Sequence, residues 1–257
     1  MAQNKKRTAS RPTLSPTLVS TQKKNLYPLK DQFRCLFCGG KNCPHEDYTK
    51  HKNPAIHGLH SDLLDDCIYA SQRPSNFLIK KYELIKTFKD KNIGLIINLQ
   101  RPGEHPYCGP NKLEPMTGYS YNPSLFSSEG IRVKLSGWKD MDVPDSLYFM
   151  LDIIKDMAHT IHVDKKRVFV HCHAGYGRTG VVLACYKIFN DNLTAEEAVK
   201  RLRMVRSKCI EQKSQMSYCR KFYQCKNIYL LFTSHDQVKG NFSIRKNRHK
   251  CIFKTSM

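Results

Sequence analysis

The stretch that most constrains this chain is Val168-Phe-Val-His-Cys-His-Ala-Gly-Tyr-Gly-Arg-Thr-Gly180. A short β-branched and aromatic run leads into His171 and Cys172, glycines follow at 175, 177 and 180, and an apolar run begins at Val181. Strand, glycine turn and helix N-terminus in that order predict an anion cradle. The turn aims backbone N–H groups inward, and the unpaired N–H groups of the helix favour negative charge there. A cysteine sits at its mouth. Free cysteine titrates near ~8.5, and a helix N-terminus or adjacent cations bring it to roughly 3.5–7.5, so Cys172 is expected to serve as a thiolate nucleophile. Arg178 offers a planar fork that matches two phosphate oxygens, which lysine could not reproduce. The hydroxyl of Thr179 is placed to donate to the sulfur.

The spacing His171-Cys172-x5-Arg178-Thr179 resembles the signature of the cysteine-dependent protein tyrosine and dual-specificity phosphatases. That resemblance implies a twisted mixed α/β sheet flanked by helices, a phosphate loop of His173, Ala174, Gly175, Tyr176, Gly177 and Arg178, and catalysis without cofactor or metal. It also implies a phosphorylated protein as substrate and partner.

Phosphoryl transfer from an alcohol or phenol also needs an acid for the leaving oxygen. Gly137-Trp-Lys-Asp-Met-Asp-Val-Pro144 holds the only tryptophan and two candidates, Asp140 and Asp142. Asp140 is favoured, because Trp138-Lys139-Asp140 resembles the family's Trp-Pro-Asp loop with lysine in place of proline. The alternative for Asp142 is helix capping ahead of Pro144. Hydrolysis of a cysteinyl phosphate needs a positioned water, which an amide side chain can hold without titrating; Gln212 and Gln215 both qualify. Relatives often read Ile-Gln here, whereas this chain reads Ile210-Glu211-Gln212. Arg101, Glu104 and His105 lie on a loop that either borders the site or forms a salt-bridged surface. Cys108 is a candidate oxidative partner for Cys172.

A second cluster, Cys35-x2-Cys38-x4-Cys43-x-His45, is a zinc candidate, with His51 and Cys67 as substitute ligands. The formal net charge is +21, yet seven lysines and arginines precede Asp31 and six follow Asp236 with no acid in either stretch, leaving +8 between them. The ends, 1–30 and 233–257, therefore read as basic tails able to meet an acidic partner. Between them, 31–66 is expected to be a Cys/His-containing extension and 67–232 the phosphatase domain. No apolar run approaches ~18 residues, which argues against a transmembrane helix. An apolar leader is missing from the first residues, and eleven cysteines, an odd number, suit a reducing compartment better than a disulfide framework.

The pattern predicts strands at Ile68–Ala70, Ile93–Leu99, Ile131–Leu135 and Val168–Val170. Helices are expected over Asn76–Lys89, 145–162, Ala195–Arg206 behind a Thr194/Glu197 capping box, and a last one reaching Leu231. Asn98-Leu-Gln-Arg-Pro-Gly-Glu-His105, Cys38-Gly-Gly40, Arg73-Pro-Ser75 and Cys219-Arg-Lys-Phe222 narrow the resemblance to one group of atypical dual-specificity phosphatases, over roughly Arg34 to Phe222. By that resemblance the expected location is cytoplasmic, at centriole or cilium base. Phosphoinositide or RNA 5′-phosphate substrates, a phosphoprotein-binding scaffold with little turnover, and a zinc-containing interaction module are the alternatives. The lysine-free loop positions His173, Ala174 and Tyr176 disfavour lipid, and Tyr176 with the basic tails keeps RNA in view.

Overall fold

The structure is a computed structural model describing residues 35, 38–46, 49, 51–109 and 112–236, with 227–236 as backbone alone. The basic tails, apart from the helix that ends at Asp236, lie outside the described residues.

Five strands form one sheet in the order β1-β2-β5-β3-β4. They are β1 (Ser61–Leu64), β2 (Ile68–Ser71), β3 (Ile93–Asn98), β4 (Arg132–Leu135) and β5 (Arg167–His171). All neighbours run parallel except the β1–β2 pair, so the sheet is mixed. β1 lies ahead of the expected domain start at Cys67; its half-buried Asp62 and Leu63 hide the strand pattern from the sequence.

The central strand shows how the sequence is sorted. Val168 and Val170 face one core with Leu95 and Ile97, while Phe169 faces a second core with Tyr69 and Ile96. Alternating side chains thus serve opposite faces, and because both faces are covered the strand reads as continuously apolar. Helices α4 (Leu147–His162), α5 (Gly177–Asn190), α6 (Ala195–Val205) and α7 (Lys213–Asp236) cover the first face. Helices α1 (Asn76–Lys81), α2 (Leu84–Asp90) and the single turn α3 (Ser124–Ser127) cover the other. The central α5 is buried continuously from Arg178 to Ile188, as a helix surrounded by protein must be.

Side-chain caps open three of the helices, α1 at Ser75, α4 at Ser146 and α6 at Thr194. Ser146 accepts a hydrogen bond from Phe149 N, and Thr194 with Glu197 completes the expected capping box. The single helix expected over Asn76–Lys89 is instead two. The chain breaks at Glu83, which adopts a left-handed conformation (φ 49°), and the Tyr82 ring packs so closely over Gly58 that a Cβ there would lie 2.4 Å from it. A tertiary contact overrides local helical periodicity.

The parallel register aligns the carboxyl ends of four strands. Ser71 pairs with His171, His171 with Asn98 and Asn98 with Leu135. The loops that follow these residues therefore meet at one edge of the sheet, where open α/β sheets place their ligands. No helix among the described residues is long and apolar enough to cross a membrane.

Candidate active site

The loop Cys172–Tyr176 joins β5 to α5 and is pressed in from both sides. Gly175 has φ 78°, and a Cβ there would lie 2.3 Å from Ser71 O, so both conformation and space demand glycine. Its N–H donates to Cys172 Sγ at 3.3 Å. His171 is fully buried below, with Nδ1 3.2 Å from Cys172 O and Nε2 2.9 Å from Tyr121 Oη. Burial pushes its imidazole down to about 3, so it is a neutral brace under the cysteine.

Arg178, from the first turn of α5, is 1% exposed. Its Nη1 donates to Leu99 O (2.8 Å), Trp138 O (2.8 Å) and Glu104 Oε2 (2.7 Å). Those acceptors come from two other loops, which the arginine ties together. The backbones of those loops are themselves in contact, since a Cβ on Gly137 would lie 2.0 Å from Gln100 O. Arg178 Nε and Nη2 are buried without a hydrogen bond; Nη2 stands 3.0 Å from Asp140 Oδ1 in an ion pair, but off the bonding direction. A guanidinium with one edge committed to protein and the other uncommitted suits bidentate binding of an oxyanion.

The two acid candidates separate clearly. Asp140 is paired with Arg178 and with His105 Nε2 at 3.0 Å, while Asp142 turns out toward solvent, 3.5 Å from Lys139 Nζ and accepting from Val143 N. Trp138 anchors the loop, donating from Nε1 to Asp142 O at 3.0 Å. Burial raises the Asp140 pKa, but the His105 hydrogen bond and the Arg178 charge outweigh it and hold the carboxyl well below the usual range.

Of the two glutamines only Gln215 is brought in. It is fully buried, its Oε1 accepts from Glu211 N (3.2 Å) and Gln212 N (3.4 Å), and its Nε2 lies beside Gly177 at the start of α5 without a hydrogen bond. Gln212 is half-exposed and contributes only backbone. Thr179 Oγ1 is likewise buried and unbonded, so the expected donation to Cys172 Sγ is not made. The loop of 101–105 divides: Arg101 is exposed, while Glu104 and His105 enter the site.

Several loop side chains serve the surroundings rather than the mouth. His173 stacks on His105 with ring centroids 3.8 Å apart, and its Nε2 lies 3.1 Å from Glu46 Oε1. Tyr176 is buried under the Arg206 guanidinium and reaches His60 Nε2 at 3.3 Å, so its ring is not a free stacking face for a base. Arg206 was expected only as a helix end. It is buried, donates to Gly175 O (2.7 Å) and Ala174 O (2.9 Å), and pairs with Asp62 Oδ2 (2.5 Å). On the other side, buried Arg73 donates to Glu46 Oε1 (2.6 Å) and to the carbonyls of Glu104, His105 and Cys108. Neither arginine carries a sequence signal beyond being a basic residue, although Arg73 sits in the Arg-Pro-Ser segment noted above.

The zinc candidate is revised. His45 points away, edge-on to His173 and Tyr176. His51 is engaged by Asp62 and Ser61 O, and Cys67 belongs to the main core. Cys108 joins Cys35, Cys38 and Cys43 instead, so it packs away from its suggested partner Cys172.

A buried cysteine at the carboxyl ends of the parallel strands, a glycine cradle opening a helix and a buried arginine beside it give the chain the cysteine-phosphatase fold. The protein-tyrosine phosphatase family model matches residues 127–225. In finer detail, the chain is similar to protein tyrosine phosphatase domain-containing protein 1 of Bos taurus, 39% identical over 86% of this chain and 27% of that protein. The Danio rerio protein of the same name is 37% identical over 83% of this chain and 30% of its own length. The chain thus spans under a third of the length of these relatives. Among solved structures, kinase associated phosphatase with its catalytic-site cysteine replaced by serine matches with TM-score 0.53 and 21% identity, over 69% of this chain and 98% of that one. That likeness concerns the fold.

Proposed function

We propose that this chain is a cysteine-dependent protein phosphatase that hydrolyses phosphotyrosine, with phosphoserine and phosphothreonine as further substrates, through a cysteinyl-phosphate intermediate. The observation that carries this reading is Arg178: three acceptors hold Nη1, and the buried Nε and Nη2 beside the Cys172 loop make no hydrogen bond. Burying Nε with no hydrogen bond, and Nη2 with only the off-axis Asp140 ion pair, costs about 1–3 kcal/mol, which suits an acceptor that arrives with the substrate.

In the first step Cys172 Sγ attacks phosphorus in line. The loop amides and the Arg178 edge hold the equatorial oxygens, where they stabilise charge without reorganising. Asp140 gives a proton to the leaving oxygen. Its resting charge state is compatible with that role: an incoming phosphate takes the Arg178 cation away from Asp140 and sets negative charge beside it, and both changes raise the carboxyl pKa. In the second step water attacks the thiophosphate, Asp140 takes its proton, the P–S bond breaks and the electron pair returns to Cys172. Gln215 Nε2, buried and unbonded next to Gly177, is the amide placed to hold that water, and Thr179 assists departure of sulfur.

Two features favour a protein substrate. Relatives are named as protein tyrosine phosphatases, and the variable loop positions His173, Ala174 and Tyr176 supply no lysine for a polyphosphorylated headgroup. A cytoplasmic place at the cilium base is carried over from the resemblance and would be tested by imaging. The decisive assay is turnover of p-nitrophenyl phosphate with freshly added EDTA, with and without vanadate, followed by phosphopeptides, phosphoinositides and triphosphorylated RNA side by side. Vanadate-sensitive activity in the native chain and none in Cys172→Ser is the expected result. Appreciable hydrolysis by that variant would sink the assignment.

A further inference from the structure

One cluster beside the site has no part in the chemistry above. Cys35, Cys43 and Cys108 are buried, Cys38 is half-buried, and together they form an island separate from both cores. Cys108 Sγ is the shared point. With Cys38 and Cys43 it makes one triad, and with Cys35 and His105 another, the donor atoms of each lying within 4.8 Å of one another.

The distances have the scale of a metal shell. Four sulfurs about 2.3 Å from a tetrahedral zinc stand about 3.8 Å apart. Cys38 and Cys108 sulfurs are 2.9 Å apart, and the donor atoms within each triad all lie within 4.8 Å of one another, a range that accommodates that value. A disulfide would require about 2.05 Å. Thiols are weak hydrogen-bonding groups, so packing alone gives little reason to gather four of them from segments 70 residues apart.

The backbone is shaped for the same purpose at both ends. Cys38-Gly39 and Cys108-Gly109 are equivalent steps, each with its glycine at positive φ (98° and 79°), which folds the chain back past the sulfur. Gly40, also at positive φ, opens a 3-10 turn that brings Cys43 round to the side of Cys38. Gly109 N donates to Gly40 O at 3.0 Å, joining the two turns directly. A second layer of imidazoles surrounds the sulfurs. His105 Nδ1 lies 3.6 Å from Cys108 Sγ and 3.9 Å from Cys38 Sγ, and His173 Nε2 lies 3.8 Å from Cys43 Sγ. Such outer groups orient ligands and balance their charge.

We propose that Cys35, Cys38, Cys43 and Cys108 bind one structural zinc ion that fastens the N-terminal segment to the loop ending at Cys108. Four thiolates close the shell and leave no position for substrate, and the displaced thiol protons go to solvent. The cluster is linked to the site by two imidazoles, His105, which reaches Asp140, and His173, which follows Cys172 in the chain.

The test uses the full chain purified under reducing conditions and dialysed against zinc sulfate, then against metal-free buffer. Elemental analysis is expected to find one zinc per chain. N-ethylmaleimide with mass mapping is expected to spare Cys35, Cys38, Cys43 and Cys108 until a strong zinc chelator is added, and to modify all four afterwards. Cys108→Ser should reduce zinc to background, while Cys225→Ser, in the main domain, should retain it. A metal-free native chain overturns the proposal, as does recovery of Cys38 and Cys108 as a disulfide or alkylation of the four thiols regardless of chelator. If Cys108→Ser fails to fold, the alkylation pattern of the native chain decides alone.

Discussion

Three buried arginines surround the phosphate loop, and two of them are spent differently from the third. On one shoulder Arg206 pairs with Asp62 and takes the carbonyls of Ala174 and Gly175. On the other, Arg73 pairs with Glu46 and takes the carbonyls of Glu104, His105 and Cys108. Each is a neutralised clamp that satisfies loop carbonyls no strand or helix could reach. Arg178, between them, also ties loops together through Nη1, but its other edge makes no hydrogen bond. The lesson is that burial and charge do not distinguish a structural arginine from a functional one. The difference lies in how many of its donors the protein itself has used.

The comparison can be broken most sharply through the acid that shares Arg178. Asp140→Asn should lower turnover of aryl phosphates with poor leaving groups by about 10²–10⁴, and far less with good ones, in steady-state assays across a leaving-group series. Equal losses on both would remove Asp140 from proton transfer. The shoulders should show up as stability instead. Arg206→Met leaves Asp62 with His51 alone and Arg73→Met leaves Glu46 with His173 alone, and each also frees loop carbonyls, so each should cost roughly 3–5 kcal/mol in urea unfolding. Arg178→Lys keeps the charge but loses the fork; a fall in kcat/KM of about 10²–10³ is expected, with a smaller loss of stability than in the shoulder variants. An unfolded Arg178→Lys protein would place that residue among the clamps.

A smaller effect concerns pH. His171 is held neutral, its value lowered from 6.5 to about 3 by burial. The unfolded chain therefore takes up a proton that the folded one refuses, so His171 contributes stability above pH 6.5 that is lost as pH falls toward about 3. His171→Asn should flatten that part of the stability profile. The smallest expectation is Asp142→Asn, whose exposed carboxylate should leave turnover within about twofold.

The catalytic loop, the Trp138–Asp140 loop, four of the five strands and the capping box on α6 were all legible in the chain. Each is a local pattern in which neighbouring residues carry the physical reason. The break at Glu83 was not, because the Tyr82–Gly58 contact that imposes it crosses between segments. Nor could spacing choose between Gln212 and Gln215: burial beside Gly177 depends on how α7 packs against α5. The roles of Glu104 and His105 stayed open for a similar reason, since both charged residues on a loop and charged residues around a site look alike until their partners are placed.

The same division runs through the whole site. Sequence alone marked out Cys172, Arg178 and the glycine cradle as the candidate site, because their spacing lies within one strand–turn–helix segment. Tertiary structure decided everything that depends on chain segments meeting at the sheet edge. It paired Asp140 with Arg178 and His105, enlisted Arg73 and Arg206 as clamps, and put Cys108 rather than His45 in the sulfur cluster. Those assignments follow from the parallel register of β2, β5, β3 and β4, which brings four loops together although they are far apart in the chain.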